Sequence, residues 1–371
     1  METFRILTIN PGSTSTKVAL FRNEEKVFSE TLEHDSSEVN QFATLADQKP
    51  YRLEKVLQVL QKHNIPLETI DAFVGRGGGQ ETMVSGTYII NELAYAHARD
   101  CYRANHPALL GSQIAYDLGA INGKPSYIVN PPCVDEFIDE SRLSGMKEIH
   151  RICHTHALNQ KEMAIRYAKS IGKQYADLNL VVAHVGGGIS VTAHRKGRMI
   201  DTNDCLGSSG AFAPTRSGDV PALALIKMCY SGQYTEKEMY NKVTKTGGLM
   251  SYLGTSDVRE VHKMIDEGNE FAEVVLKAMF HQINKEIGAM AAAMEGSVDA
   301  IILTGGVAHD ETFTDSVARH CGFIAPVIVM PGEFEMEAMA NGALRVLTGE
   351  EEVKVYTGEH VCKAPWFISG S

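Results

Sequence analysis

Asn10-Pro11-Gly12-Ser13-Thr14-Ser15-Thr16-Lys17 joins two apolar runs, Phe4-Arg5-Ile6-Leu7-Thr8-Ile9 before it and Val18-Ala19-Leu20-Phe21 after it. The flanks have the composition of strands and the stretch between them that of a tight turn. Asn10 brings an amide, Ser13 and Ser15 bring hydroxyls and Lys17 an ammonium. A solvent-facing hairpin rarely gathers so many donors of the kind that hold phosphate. Gly12 lets the backbone approach a ligand closely, and the N–H groups of such a turn can cradle anionic oxygens. Arg22-Asn23-Glu24-Glu25 then reads as a polar hairpin and Lys26 to Thr31 as a third strand, which completes a β-meander.

The same order returns about 175 residues later, at the scale of a duplicated domain rather than a short repeat. Leu180 to Val185 is a strand, Gly186-Gly187-Gly188 a turn, Ile189 to Ala193 a strand, His194-Arg195-Lys196-Gly197 a hairpin and Arg198 to Thr202 a strand. A third glycine turn, Thr304-Gly305-Gly306-Val307, follows the apolar run Ala300-Ile301-Ile302-Leu303. Helical spacing marks Leu53, Val56, Leu57, Val59 and Leu60. It also marks Phe271, Val274, Val275, Ala278, Met279, Ile283, Ile287 and Met290 within a helix expected over 270–294. Further helices are expected over 106–118, with Pro107 in the first turn, and over 336–347. The chain thus reads as two related α/β domains with mixed sheets flanked by helices, 1–177 and 178–335, with no low-complexity linker.

Composition bounds the function. The 371 residues suit two domains of ordinary size. Hydrophobic residues at 44% and charged residues at 22% describe a folded chain, not a disordered one. A net charge of -11 argues against nucleic acid as a partner, so a phosphate ligand must be held by a local site against the overall field. No apolar run is long enough for a membrane span, and the N-terminus lacks the features of a secretory signal. Seven scattered Cys with no CxxC spacing fit neither a disulfide framework nor a zinc site, and the expected location is the cytoplasm.

Neither a GxxxxGK[ST] loop nor a dinucleotide fingerprint is present, because Gly75-Arg76-Gly77-Gly78-Gly79 does not open a helix in a βαβ unit. Arg76 in that run, and Arg216 in Pro214-Thr215-Arg216-Ser217-Gly218-Asp219, are guanidinium forks in glycine-rich surroundings. Such forks suit the charge on the equatorial oxygens of a phosphoryl group in flight. His154-Thr155-His156 would send its two imidazoles to opposite faces and lacks a third ligand, so a transition metal is not expected. His154 is instead a candidate donor to a transferred phosphate. Glu333, Glu335 and Glu337 follow the last strand. They are either a solvated helix start, favoured by the dipole, or a source of one carboxylate for Mg²⁺.

Taken in order, Ile9 to Lys17, His184 to Ser190, Ala213 to Asp219, Thr255-Ser256-Asp257-Val258-Arg259 and Leu303 to Val307 resemble the successive blocks of the acetate and butyrate kinase (acetokinase) family, over almost the whole chain. The likeness is greatest to its butyrate kinases. Acetate kinases carry an Asn-Gly-Ser type loop where Gly186-Gly187-Gly188 stands, and Val134 to Phe137 and His156 to Lys161 also look like butyrate kinase. The resemblance implies a duplicated actin-like ATPase (ribonuclease H-like) fold, ATP/ADP and Mg²⁺ as cofactors, and a reversible transfer between ATP and a short-chain fatty acid that yields acyl phosphate and ADP. It implies that Asn10, Ser13, Ser15 and Lys17 lie near phosphates. Arg76 and Arg216 would clamp the phosphoryl group and carboxylate, and His154 would be the active-site histidine. His184, Gly186, Gly187, Gly188, Gly305 and Gly306 would contact nucleotide, and Glu337, or Glu335 by a shift of register, would hold Mg²⁺. The first domain would take acid and phosphate and the second nucleotide, and a C-terminal helix over about 336–371 would return to the first domain. A homo-oligomer is implied as well. Acetate or propionate kinase, a sugar kinase, or a nucleotide-binding switch of the same fold are the other readings.

One departure bears on mechanism. Many relatives carry Asp where this chain has Asn130, in Val129-Asn130-Pro131-Pro132. An amide cannot act as a base, but a carboxylic acid is already ionised at neutral pH and needs none. Asn130 is therefore expected to orient the substrate or the arginines.

Overall fold

The computed structural model describes residues 2–367. The described residues form two compact units, one of 2–135 together with 334–367, the other of Glu136–Glu333. Strands are numbered β1 to β14 along the chain.

In the first unit β1 (Arg5–Pro11), β2 (Ser15–Arg22) and β3 (Glu25–Glu33) form the antiparallel meander. With β4 (Ala72–Gly75), β5 (Thr87–Ile89), β6 (Ser126–Val129) and β14 (Lys354–Val355) they make a seven-stranded sheet in the order β14-β5-β6-β4-β1-β2-β3. β4 runs parallel to β1, and β6 parallel to β4. Ile6, Leu7, Thr8 and Ile9 are all fully buried. That is the mark of a central strand covered on both faces, and it explains why this segment is continuously apolar rather than alternating.

The helix Leu109–Asn122 packs on β1, β4 and β6. It comes close because Gly75 and Gly111 face each other: a Cβ on Gly75 would stand 2.1 Å from the Gly111 carbonyl oxygen. The expected start at His106 is three residues early. Pro107 precedes the helix, and Gly123 closes it in the left-handed conformation at φ 62°. The helix Lys49–Lys62 buries Arg52, Val56, Val59 and Leu60, while Leu57 is 40% exposed. The apolar stripe is thus rotated from the one expected, and an arginine occupies its inner edge.

In the second unit β7 (Leu143–Met146) and β8 (Ile149–His150) form a small hairpin. β9 (Asn179–Val185), β10 (Ile189–Arg195), β11 (Arg198–Thr202), β12 (Ala300–Thr304) and β13 (Val327–Val329) form a sheet in the order β11-β10-β9-β12-β13. β12 is parallel to β9, and β13 to β12. This repeats β3-β2-β1-β4-β6 strand for strand, so the duplication read from the glycine turns holds in the topology. The helix Glu270–Ala293 packs on β10 through Val275, Leu276, Met279, Ile283 and Ile287, whereas Phe271 and Val274 of the expected stripe are exposed.

Compactness divides the chain earlier than the expected 177. The helix Ala157–Ser170 lies on β9 and β12, and Lys161, at 1% exposure, pairs at 2.6 Å with buried Glu136 and donates to the Gly197 carbonyl. Removing one partner would strand a buried charge, at about 3–5 kcal/mol. The helix Glu335–Leu347 packs on β1, β4 and β6. It ends at Leu347 rather than running toward 371, and residues 368–371 of that expected stretch lie outside the described residues. No described helix is long and apolar enough to cross a membrane.

Candidate active site

The β1–β2 turn carries the first group of candidates. Asn10 and Lys17 are direct cross-strand partners, so their side chains stand on one face of the hairpin. Asn10 donates through Nδ2 to Glu335 at 2.7 Å, and Arg76 Nη2 lies 3.3 Å from the other oxygen of the same carboxylate. Ser13 is exposed and Ser15 half-buried at the turn. Arg76 leaves the end of β4, its backbone N–H donating to Ile9, next to the glycine contact that seats the Leu109–Asn122 helix. Arg76 Nη1 is buried and without a hydrogen-bond acceptor among the described residues. Burial, with the Arg76 charge a lesser cause, lowers the pKa of nearby His106 and keeps that ring neutral.

Glu337 is held by Lys26 at 2.5 Å and is not the carboxylate that meets Asn10 and Arg76; Glu335 is. Residues two apart at the start of a helix point in different directions, so of the two only Glu335 meets Asn10 and Arg76. Asn130, buried and with φ of 38°, exchanges hydrogen bonds with Gly86: its N–H donates to the Gly86 carbonyl at 3.1 Å, and Gly86 N–H donates to Asn130 Oδ1 at 2.7 Å. No bond joins Asn130 to Arg76 among the described residues. Asn is one of the few residues at ease in this left-handed conformation, and Nδ2 is the donor it has left.

The second unit holds the remaining candidates. β9 ends in His184 and Val185, and Gly186 N–H donates to the Gly188 carbonyl at 3.0 Å to close the turn. Arg216 lies directly on this turn: a Cβ at Gly188 would stand 1.8 Å from Arg216 Nη1. That nitrogen is buried and, like its counterpart on Arg76, has no acceptor among the described residues. Gly305, at φ 89°, presses on the Val185 carbonyl and exchanges two backbone hydrogen bonds with Gly332. Gly186, Gly187, Thr215, Asp257, Gly306 and Glu333 line a cavity of about 890 Å³, large enough for a nucleotide.

His154 Nδ1 lies 3.0 Å from Asp204 Oδ1, and the ring is about one-third exposed. Burial opposes ionisation of Asp204, but the His154 hydrogen bond and the N–H groups of Gly207 and Leu206 outweigh it and hold the carboxyl below its usual pKa. Ionised Asp204 accepts from Nδ1–H and leaves Nε2 as the working edge of His154. His156 turns away, stacking on His184 with ring centroids 3.9 Å apart and bonding Ser190. His184 in turn contacts Asn159, whose amide also donates to Thr304. The described residues hold no group of three or more His, Cys, Asp or Glu placed to bind a metal.

Arg52, Asp204 and Asn159 were not singled out from sequence. Asn159 falls within the quoted His156–Lys161 stretch without a role of its own, and Arg52 adjoins the apolar helical stripe as a charged residue.

A profile of the acetokinase family matches residues 148–324. Butyrate kinase 2 of Clostridium acetobutylicum is 46% identical over 353 residues, which is 95% of this chain and 99% of that protein. A probable butyrate kinase of Clostridium botulinum is 45% identical over the same shares. Among solved structures, Porphyromonas gingivalis acetate kinase superposes with a TM-score of 0.77 at 21% identity, covering 93% of this chain and 100% of that one. The folds agree where the sequences have largely diverged, and the level of identity to the clostridial proteins over nearly full length places the assignment beyond fold alone: the chain belongs to the acetokinase family.

Proposed function

We propose that this protein transfers the terminal phosphate of ATP to a short-chain fatty acid, butyrate or a branched relative, giving acyl phosphate and ADP, and runs the reverse reaction as well. The observation that carries it is the pair Arg76 and Arg216, each with a buried guanidinium nitrogen lacking an acceptor. Buried donors are nearly always satisfied, so each of these orphaned guanidinium groups, one in each unit, calls for an anionic partner. Near-full-length identity to butyrate kinase 2 supports the choice of acid.

In the forward direction a carboxylate oxygen attacks the γ-phosphorus, the new O–P bond forms and the bond to the ADP oxygen breaks. The nucleophile carries its charge from the start, so no base is needed. The residues contribute position and charge. Arg76 and Arg216 neutralise the equatorial oxygens, and His154, oriented by Asp204, faces them with its Nε2 edge. The glycines at 186–188 and 305–306 hold the nucleotide, and Asn130 Nδ2 orients the acid. Asn10, Ser13, Ser15 and Lys17 hold phosphate oxygens.

The donor set fits magnesium bound through one carboxylate and phosphates: Glu335 supplies the carboxylate, and Asn10, whose Nδ2 is occupied, keeps its Oδ1 as an acceptor. When bound, that ion would neutralise nucleotide charge.

We also place the protein in the cytoplasm as a homo-oligomer. No disulfide joins its cysteines among the described residues. The helix Ala222–Cys229 buries none of its residues although Leu223 and Ile226 are 76% and 52% exposed, and Lys227 is its one charge. On a chain of net charge -11 this is a face where a second copy meets little repulsion. Leu223→Glu is expected to lower the mass measured by light scattering.

The assay for activity is hydroxamate trapping of acyl phosphate over a panel from acetate to branched pentanoates. A maximum at four or five carbons is expected. No product with any acid at millimolar substrate would falsify the kinase reading.

A further inference from the structure

Arg52 is fully buried and has no carboxylate partner among the described residues. Burying an unpaired charge is costly, and proteins keep one only where its hydrogen bonds are satisfied and the arrangement serves a purpose. Here every bond it makes runs to one turn or to its own helix. Nη1 donates to the carbonyls of Gly12 at 2.9 Å and Ser15 at 3.0 Å and to Thr16 Oγ1 at 3.0 Å. Nη2 donates to the Ser13 carbonyl at 3.2 Å. Nε and Nη2 are anchored by Gln48 Oε1, one helical turn back, at 3.2 and 3.1 Å.

These bonds dictate the other side of the turn. In a trans peptide the C=O of one residue and the N–H of the next point in opposite directions, and the chain has no cis peptide among the described residues. Drawing the Gly12 and Ser13 carbonyls inward therefore turns the N–H groups of Ser13 and Thr14 outward. Both residues are exposed, and neither N–H donates to any described residue. Two adjacent outward N–H groups make an anion nest, with the Ser13 and Thr14 hydroxyls beside it and a fixed positive charge beneath.

The layer below keeps Arg52 in register. Tyr51 O–H donates to Glu38 at 2.6 Å, so it accepts from His34 Nδ1–H at 3.3 Å; the other ring nitrogen, Nε2, then accepts from Thr16 O–H at 2.8 Å. Burial first, and the Arg52 charge second, push His34 down to about 4, so the ring is neutral and takes this one tautomer.

We propose that Arg52 is a positioning residue: by gathering three turn carbonyls it aims the Ser13 and Thr14 N–H groups at phosphate oxygens and places a permanent charge behind them. The assignment rests on the kinase reading for which phosphate is held, but not for the anion site itself.

The test uses the full-length protein with inorganic phosphate as probe, reading the amide resonances of Ser13 and Thr14 by NMR. In the wild type both amides shift as phosphate is added. Arg52→Ala should weaken the fitted affinity by about tenfold or more, the loss of several charge-assisted hydrogen bonds. Methylguanidinium, filling the vacated space, should restore it. Arg52→Lys keeps the charge but not the planar fork, and should also lose affinity. Gln48→Leu, a milder change should Arg52→Ala fail to fold, should weaken binding severalfold. Wild-type amides that ignore phosphate, or Arg52→Ala or Gln48→Leu binding phosphate as the wild type does, overturn the proposal. Full affinity in Arg52→Lys overturns its geometric part. Amides that respond in a protein yielding no hydroxamate would sink the kinase reading and leave this one standing.

Discussion

Gly188→Ala isolates the role of Arg216 without touching it. The backbone at Gly188 is not in the left-handed region, so alanine is conformationally acceptable there. The new methyl would lie 1.8 Å from Arg216 Nη1 and 2.8 Å from Cζ. Ordinary carbon–nitrogen contact is about 3.5 Å, so the guanidinium must withdraw by roughly 1.5 Å or more. Only the far end of a flexible side chain has to move, which predicts a small effect on folding. A catalytic group misplaced by about 1 Å costs on the order of 10²-fold in rate, or about 2.7 kcal/mol of transition-state stabilisation. We expect kcat in the hydroxamate assay, at saturating ATP and butyrate, to fall about 10²-fold while Tm moves by no more than a few degrees. If the alanine works through Arg216, its loss disappears in an Arg216→Ala background. A kcat within about threefold of wild type, or a full additional loss in the double variant, would refute the account.

Glu335→Gln should lower kcat and weaken the apparent affinity for Mg²⁺, because it removes the carboxylate shared by Asn10 and Arg76. Glu337→Gln should leave both nearly unchanged and cost under about 1 kcal/mol, since its partner Lys26 is largely exposed; the opposite ranking would return the metal role to Glu337. Asn130→Asp preserves an acceptor for Gly86 N–H and adds a carboxylate. Little gain in kcat is expected, and a rise of several hundred-fold would show that a base is not dispensable. Stability should fall on acidification. Burial, then the Lys161 charge, drives His194 down to about 3, so between 6.5 and that value the unfolded chain binds a proton that the folded chain refuses. Stability is therefore full above about pH 6.5 and declines below it by up to about 1.4 kcal/mol per pH unit. His34, held to about 4, adds to the decline over the upper part of this window. Urea melts from pH 7 to 4.5 read the slope, and a flat profile would mean that the histidines are not buried neutral.

Local pattern was enough for the two meanders, because strand, glycine turn and strand are dictated by residues adjacent in the chain. The anion character of Asn10–Lys17 and the candidacy of Arg76, Arg216 and His154 could be read for the same reason: donors and glycines within a few residues of one another share a turn whatever the rest of the fold does. What sequence left open was every choice between distant partners. Whether Glu335 or Glu337 meets Asn10 depends on the angle at which the Glu335–Leu347 helix lies on β1, and the Glu-x-Glu spacing is silent about it. The first compact unit ends at Asp135, and Lys161 pairs with Glu136 inside the second, whereas the repeat in the sequence marks only the start of the second meander. Asp204, fifty positions from His154, and Arg52, forty from Gly12, carried no local mark of their task. Amino-acid order alone determined that this protein has two related sheets, each opening on a glycine turn, the first of them rich in hydrogen-bond donors. Tertiary packing decided which side chains hold those turns in shape, because a hydrogen bond between residues far apart in the chain exists only once the core between them has set their distance.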